Sequence, residues 1–179
     1  MKKNRYLSLG IMSGTSNDGI DISLIQSDGI NKFDILGSRY VKYSSDLIKD
    51  LNDLTNNINK LSIHSSRIIQ LKERVTESYI NAIKKFKKSY HSKIDLISLH
   101  GQTIFHDPYN KISIQLCNAE SVKSEFNSRI VYDFRQNDLK HGGQGAPLTP
   151  IFHKLINNNL SLSGTNAFLN IGGVSNITI

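Results

Sequence analysis

Small residues, hydroxyls and acidic side chains are concentrated in one segment near the start of the chain. The segment reads Gly14, Thr15, Ser16, Asn17, Asp18, Gly19, Ile20 and Asp21. Its two glycines allow a sharp backbone turn that approaches a ligand closely, and the resulting cluster of N–H and hydroxyl groups suits a phosphate. No Gly-Lys-Ser/Thr sequence follows and the next element is a predicted strand, so neither the Walker pattern nor the dinucleotide fingerprint is matched. A phosphate-binding turn and an ordinary hairpin closed by hydroxyl and Asx turns both stay open here.

Asp18 and Asp21 are the acidic members of this segment. Carboxylates are ligands that magnesium accepts, and magnesium usually keeps several of its waters. We therefore predict no direct metal ligand, and an Mg²⁺ ion held by Asp18 and Asp21 through water is one interpretation. Hydrogen bonding to the backbone of the turn is the alternative.

Polar side chains also follow a later apolar run, Ile94 to Leu99. His100, Gln102 and Thr103 come at its carboxyl end, where α/β proteins place ligand-binding groups. A polar wall for a substrate is one interpretation, and a structural role for His100 is the other. His106 and Asp107 follow at a spacing that does not form a metal-ligand set.

Asp133 follows the apolar triplet Ile130, Val131 and Tyr132, which predicts a carboxylate at a strand end. Arg135, two residues further on, is predicted to lie on the same side. A carboxylate in this position can act as a general base, and a strand-end salt bridge is the alternative. The glycine-rich loop from Gly142 to Pro147 gives close backbone approach beside it.

The elements that must position these residues are visible in the hydrophobic periods. Leu7 to Ile11, Ile20 to Leu24 and about Phe33 to Tyr43 alternate with period 2, which indicates an antiparallel meander. Ser44 and Ser45 can cap a short helix over Asp46 to Leu54, and a long amphipathic helix spans Ile68 to Phe86. Further strands are predicted at Ile94–Leu99, Ile112–Leu116, Ile130–Tyr132 and Ala167–Ile171, and further helices at Ala119–Phe126 and Pro150–Asn158. This order indicates an α/β domain with a mixed sheet flanked by helices.

Composition restricts the classes of partner. The 22 Lys and Arg residues against 15 Asp and Glu give a formal charge of +7. The densest basic group, Lys84 to Lys88, falls at the predicted end of a helix, where cations suit the macrodipole, so we predict no nucleic-acid partner. Cys117 is the only cysteine, and the first apolar stretch is interrupted at Ser8 and Gly10. We predict a cytoplasmic protein with no disulfide and no membrane span.

The last predicted strand runs into Gly172-Gly173-Val174-Ser175-Asn176 and then Ile177-Thr178-Ile179. This sequence of strand, small-residue turn and strand repeats the pattern from Gly10 to Leu24, which indicates an imperfect internal duplication. In a duplicated fold, two such turns would face each other across a cleft and hold nucleotide phosphates from both sides.

Five segments together resemble the 1,6-anhydro-N-acetylmuramic acid kinase family. They follow the family's order over nearly the whole chain: Gly14–Asp21, Ser98–Thr103, Asp133–Arg135, Gly142–Leu148 and Asn170–Asn176. The resemblance implies the ribonuclease H-like fold of actin, Hsp70 and sugar kinases, with two duplicated lobes around an ATP cleft. It also implies that water opens the anhydro ring of an amino sugar while ATP, with Mg²⁺, phosphorylates the freed 6-hydroxyl. The product would be N-acetylmuramic acid 6-phosphate, formed in cell-wall recycling.

The same resemblance assigns roles to residues. Gly14 to Asp21 would contact the ATP phosphates, Gly172 and Gly173 would begin the second phosphate turn, and Asp133 would be the catalytic base. We assign the substrate wall to His100, Gln102, Thr103 and Arg135. In one departure, Leu116-Cys117-Asn118 stands where family members usually have Ile-Gly-Asp, so substrate contacts or backbone geometry are open to change there.

The family's chain is considerably longer, so we expect residues 1–160 to form an N-terminal actin-like ATPase lobe and 161–179 the first hairpin of a truncated second lobe. Phosphoryl transfer needs alignment from both sides of the nucleotide. The leading hypothesis is a truncated or split sugar kinase, completed by a separate chain or as a homodimer, whose isolated chain binds ATP weakly and turns over little. An inactive remnant or a sugar-binding module is the alternative. Unpaired strand edges from Ala167 to Ile179 are expected to promote association.

Overall fold

A computed structural model describes residues 4–58, 65–161, 163–171 and 175–179. Three strands come first, then two helices, and then strands and helices in alternation. The elements are β1 (Tyr6–Ser13), β2 (Gly19–Ser27), β3 (Phe33–Lys42), α1 (Ser45–Asn57), α2 (Ser66–Lys87), β4 (Leu96–Asp107), β5 (Ile112–Leu116), α3 (Ala119–Phe126), β6 (Arg129–Tyr132), α4 (Phe134–Lys140), α5 (Pro150–Leu160), β7 (Phe168–Asn170) and β8 (Asn176–Thr178).

Six strands form one mixed sheet in the order β3-β2-β1-β4-β5, with β6 also paired to β4. β1, β2 and β3 form the predicted antiparallel meander, whereas β1 and β6 run parallel to β4. The predicted α/β class with a mixed sheet flanked by helices is confirmed. Because β1, β4 and β6 are parallel, the residues that follow or end these strands come together at one edge of the sheet.

The main core lies between the sheet and helices α1 and α2. Leu9, Ile22 and Leu99 point from three strands into a cluster that includes Leu51 and Tyr79 from the two helices, and all five are buried. Burying one such side chain contributes about 1.5–3 kcal/mol. The predicted cap of the first helix is confirmed, since the Ser44 side chain accepts a hydrogen bond from the Leu47 N–H.

β4 changes partners halfway along its length. Its first residues pair with β1 and β6, and Gln102 to Asp107 pair antiparallel with β5. The register shifts near Gly101, since Ile11 pairs with Leu99 but Ser13 pairs with Gln102. Gly101 has φ +80°, and a Cβ there would lie 2.8 Å from the Gln115 Cβ. The predicted end of this strand at Leu99 was wrong. β4 continues through the polar residues because it forms a bulge at a glycine.

The segment after β6 also differs from the prediction. Asp133 has φ 58° and ψ 46°, and α4 begins at the next residue. Arg135 therefore lies in the first turn of a helix, and the prediction that it shares a strand face with Asp133 was wrong. The cause is the left-handed conformation of Asp133, which ends the strand at once.

β7 and β8 pair with each other in a separate two-stranded sheet. Residues 172–174 between them, which include Gly172 and Gly173, lie outside the described residues. The assignment of 161–179 to a second lobe therefore stays a prediction. None of the helices in the described part of the chain has the length and apolarity that crossing a bilayer requires.

Candidate functional site

The turn between β1 and β2 combines an exposed rim with a buried base. Thr15 and Ser16 are exposed, whereas Ser13 and Asn17 are only 1% and 2% accessible. Asn17 takes φ 56°, and its N–H donates to the Gly14 carbonyl over 3.3 Å. The rim presents backbone and hydroxyl groups to solvent, as a phosphate-binding turn requires.

Gln102 holds the base of this turn from β4. Its Nε2 donates to the Gly14 carbonyl over 2.8 Å and to the Asn17 Oδ1 over 2.7 Å. Asn17 in turn donates through Nδ2 to the Asn52 Oδ1 of α1 over 3.0 Å. The Gln102 side chain is fully buried, and its Oε1 has no hydrogen-bond partner within the described residues. Two neighbouring elements, β4 and α1, thus fix the conformation of the turn.

A cluster of three hydroxyls supports the same turn from below. The Ser13 Oγ lies 2.8 Å from the Tyr43 hydroxyl and accepts from the Tyr79 hydroxyl over 2.8 Å. Tyr43 also donates its backbone N–H to the Asp18 carbonyl over 3.0 Å. Burial raises the pKa of Tyr43 to about 12 and that of Tyr79 well above its usual range, so both phenols stay protonated.

Asp18 and Asp21 lie close enough to influence each other. The Asp18 carboxylate accepts from the Ser16 hydroxyl and, over 3.1 Å, from the Tyr40 hydroxyl, and these bonds, that from Ser16 first, lower its pKa. Burial, followed by the Asp18 charge, raises the pKa of Asp21. No ion pair neutralises either carboxylate among the described residues.

This pair of carboxylates fits a hydrated Mg²⁺ ion, because its oxygens are hard ligands with uncompensated charge. Within the ranges that the structure describes, no group of three or more His, Cys, Asp or Glu side chains could hold a metal ion directly.

His100 and Asp133 occupy neighbouring places at the end of the parallel ladder between β4 and β6. Leu99 and Tyr132 are paired in that ladder; His100 is the next residue of β4, and Asp133 directly follows β6. Asp133 is exposed. The predicted base is therefore at the same edge of the sheet as the turn after β1.

Arg135 connects this strand end with the glycine-rich loop. Its Nη2 lies 2.8 Å from the His100 Nε2, and its Nη1 donates to the Gly145 carbonyl over 2.7 Å. His100 Nδ1 lies 2.8 Å from the Gly101 carbonyl, which assigns the proton to Nδ1 and leaves Nε2 as the acceptor. Burial, and then the charge of Arg135, lower the pKa of His100, so this imidazole is neutral.

Asp138 of α4 shapes the glycine-rich loop. Its Oδ2 accepts from the Gly145 N–H over 2.6 Å. A Cβ at Gly143 would lie 2.2 Å from the same carboxylate, so a larger residue there would have to displace the Asp138 side chain. Through Arg135 and Asp138, α4 binds both the carbonyl and the N–H of Gly145.

A pocket of about 260 Å³ joins the two groups of predicted residues. Its lining comes from β1, β2, β4 and α4 and includes Gly10, Met12, Asp21, Ser98, His100 and Phe134. Asp21, predicted to act at the nucleotide, and His100, predicted to contact the substrate, thus line one space.

The remaining predicted residues are less exposed. Ile20 is buried in the core, and Gly19 packs so closely that a Cβ would lie 2.6 Å from the Val41 carbonyl. Thr103 is buried and lies 3.3 Å from the Gln115 Nε2. Contacts of Gln102 and Thr103 with a substrate, and the phosphate contacts of Gly172 and Gly173, stay predictions.

Comparison with known proteins gives the family. The family model for anhydro-N-acetylmuramic acid kinase matches residues 5–179. The chain belongs to the anhydro-N-acetylmuramic acid kinase family.

Several curated relatives carry the name anhydro-N-acetylmuramic acid kinase. The one from Pelagibacter ubique is 40% identical over 177 residues, which cover 97% of this chain and 47% of the relative. Those from Sulfurimonas denitrificans and Methylobacterium nodulans are 38% and 35% identical, cover 96% of this chain each, and are themselves covered to 46% and 50%. The chain spans about half the length of the curated relatives it matches.

The family departure at Leu116-Cys117-Asn118 connects β5 to α3. Leu116 is buried in the core, and burial raises the pKa of the Cys117 thiol to about 11. Asn118 caps α3 by accepting from the Ser121 N–H, and its own N–H donates to the Thr76 Oγ1 over 2.8 Å. These residues serve packing and capping in this member of the family.

Sequence reasoning missed the residues that hold the site from behind. Tyr79 was assigned only to the apolar face of α2, and Tyr43, Asn52 and Asp138 were not assigned to the site. The one available signal was the polar tip of a tyrosine on a core-facing helix stripe, because such a hydroxyl needs a partner when it is buried.

Proposed function

We propose that the chain supplies the nucleotide turn and the catalytic base of an ATP-dependent sugar kinase. Its substrate would be 1,6-anhydro-N-acetylmuramic acid, which it would hydrolyse and phosphorylate in the cytoplasmic recycling of cell-wall sugars. The observation that carries the proposal is the common edge of the sheet. There the exposed rim at Thr15 and Ser16 and the carboxylate of Asp133 follow parallel strands joined through β4.

The proposed reaction is the one that the family resemblance implies, with this chain's residues in the roles assigned to them. The Asp133 carboxylate takes a proton from a water molecule whose oxygen bonds to C1 of the sugar. The C1–O6 bond breaks, O6 bonds to the γ-phosphorus of ATP, and ADP leaves. The turn from Gly14 to Asp21 binds the phosphates, and the pocket beside His100 and Arg135 orients the sugar.

A bound Mg²⁺ ion would be held through water by Asp18 and Asp21 and would neutralise phosphate charge during transfer. The second phosphate turn, with Gly172 and Gly173, would bind the nucleotide from the opposite side. The other lobe of the family's longer chain would complete the nucleotide cleft.

Reconstitution tests this function. The purified chain would be mixed with a polypeptide that carries the unmatched half of the Pelagibacter ubique relative, and sugar 6-phosphate would be followed by mass spectrometry. We expect weak ATP binding and negligible turnover by the chain alone, and turnover in the mixture. Asp133→Asn should lower that turnover by about 10²- to 10⁴-fold, because asparagine keeps the left-handed backbone but cannot take the proton.

Asp46→Asn, at an exposed position in α1, is the control and should leave turnover unchanged. Sugar binding without turnover in the mixture would favour the alternative, a sugar-binding module. The kinase proposal fails if neither ATP nor the sugar binds to the chain or to the mixture.

A further inference from the structure

Arg135 is a cation without a counterion. No carboxylate forms an ion pair with it within the described residues. Its two hydrogen bonds go to uncharged acceptors, the Gly145 carbonyl and the neutral His100 imidazole. Burial lowers the pKa of Arg135, but a guanidinium keeps its charge in proteins. A half-buried charge of this kind is costly unless an anion joins it.

The guanidinium also has free donors. It carries five N–H groups, of which the two hydrogen bonds to Gly145 and His100 use two. Its Nε is buried and has no acceptor among the described residues. His106 adds no negative charge, since burial and the charge of Arg135 lower its pKa too. Three of its five N–H groups therefore have no acceptor among the described residues, and a carboxylate matches the geometry of the guanidinium.

The place of Arg135 in the sheet decides which anion it meets. It follows β6, whereas the phosphate turn follows β1, and β4 lies between them. Two strand spacings separate β1 from β6 by about 10 Å. Arg135 is two residues from Asp133, and its partner His100 lines the pocket beside Phe134. An anion at Arg135 is therefore on the side of the sugar rather than on the side of the triphosphate.

We propose that Arg135 binds the carboxylate of the substrate and so restricts the site to anhydro amino sugars that carry an acid group. This inference rests on the proposed function, whose substrate is a sugar acid. Asp133 acts on the ring of that sugar, and Arg135 recognises the acidic substituent.

Two sugars that differ in the acid group provide the test. The ¹⁵N-labelled chain would be titrated by NMR with 1,6-anhydro-N-acetylmuramic acid and with 1,6-anhydro-N-acetylglucosamine, which lacks the acid. We expect the acid to bind about 30-fold more tightly, equivalent to about 2 kcal/mol. Arg135→Gln should remove this preference by weakening the acid alone, and Arg135→Lys should restore part of it. ATP affinity should be the same in all three proteins.

Arg129→Gln, at an exposed position in β6, is the matched control and should keep the preference. Equal binding of the two sugars by the unmodified chain would overturn the inference while leaving the proposed function intact. A loss of ATP affinity in Arg135→Gln would overturn it by placing the guanidinium on the phosphates. If neither sugar and no ATP binds to the unmodified chain or to its mixture with the other half of the relative, the proposed function itself fails. If thermal unfolding shows that Arg135→Gln does not fold, the unmodified chain alone provides the test. Added lactate should then weaken binding of the acid sugar and leave binding of 1,6-anhydro-N-acetylglucosamine unchanged, and no effect of lactate would overturn the inference.

Discussion

The amide of Gln102 is buried under the turn between β1 and β2, and its N–H groups bond to two acceptors there. The Asn17 Oδ1 would otherwise be buried without a donor among the described residues, and the Gly14 carbonyl would keep only the 3.3 Å bond from the Asn17 N–H. A side chain predicted to face a substrate thus stabilises the conformation of the turn between β1 and β2.

Replacing Gln102 by leucine should therefore affect stability and nucleotide affinity together. Leaving the buried Asn17 Oδ1 unpaired costs about 1–3 kcal/mol, so urea unfolding should show a loss of that size. ATP binding measured by NMR should weaken as the turn loses its fixed shape. Gln70→Leu, at an exposed position in α2, should change neither quantity. An unchanged ATP affinity in a destabilised Gln102→Leu would limit Gln102 to a packing role.

Tyr79→Phe removes one hydroxyl from the cluster around Ser13. We expect the free energy of unfolding to fall by about 1 kcal/mol, because one buried hydrogen bond is lost while Tyr43 still contacts Ser13. Chemical denaturation measures this, with Tyr109→Phe as the control, since Tyr109 is 93% exposed. Equal stability of the two variants would show that the hydroxyl contributes nothing.

His100 makes stability depend on pH. Its pKa is lowered in the folded chain, so the unfolded chain binds a proton first as the pH falls below about 6.5. The contribution of neutral His100 to the free energy of unfolding is fully present above that pH. It is lost as the pH falls from about 6.5 to the lowered pKa of His100 in the folded chain. The carboxylates with lowered pKa values, such as Asp18 and Asp50, affect stability at pH values below their usual pKa of 3.8. That pH range lies below the one in which His100 acts. We expect the free energy of unfolding to decrease from pH 7 to pH 5, with a smaller slope in His100→Gln than in His91→Gln.

At the scale of elements, the sequence predicted those whose residues show a clear period. α3 and β5 occupy the predicted ranges, and α2 follows the stripe from Ile68 to Phe86. α4 was missed because it has seven residues and one buried side chain, Leu139, so it shows no apolar stripe. The neighbouring positions of His100 and Asp133 could be predicted, because each follows the paired end of one of two parallel strands, β4 and β6. The pairing of Gln102 with Asn17 could not, because nothing local joins residues so far apart in the chain.

Gly101 gives β4 its change of partners, and alanine there should be costly. A left-handed conformation costs a non-glycine residue about 1–2 kcal/mol, and the overlap with Gln115 adds about 1–3 kcal/mol. Gly29→Ala is the comparison, because Gly29 has φ +76° and no atom within 4 Å of an added Cβ. It measures the conformational cost alone, and the difference between the two variants measures the cost of the overlap. Thermal and urea unfolding should show the larger loss for Gly101→Ala. Equal losses would mean that β5 moves aside without cost.

At the scale of the whole molecule, the β7–β8 sheet exposes apolar side chains near the end of the sequence. Leu169 and Ile177 are 63% and 58% accessible, and a two-stranded sheet leaves both outer edges open to pairing. We expect the chain to self-associate through this sheet in sedimentation experiments. Leu169→Lys combined with Ile177→Lys should shift it towards monomer, whereas Ile30→Lys, at a 76% exposed position in the turn before β3, should not. A monomeric unmodified chain at high concentration would contradict this.

The hydrogen bonds from Gln102 to the turn between β1 and β2 also determine when that turn becomes fixed during synthesis. The hydrogen bonds to Gly14 and Asn17 span 88 and 85 residues, so the hairpin of β1 and β2 can form long before its clamp has left the ribosome. Long-range contacts of this kind form late, because closing the intervening chain costs entropy first. A nascent chain stalled before β4 would carry every residue of the predicted nucleotide turn and still be unable to hold that turn in shape.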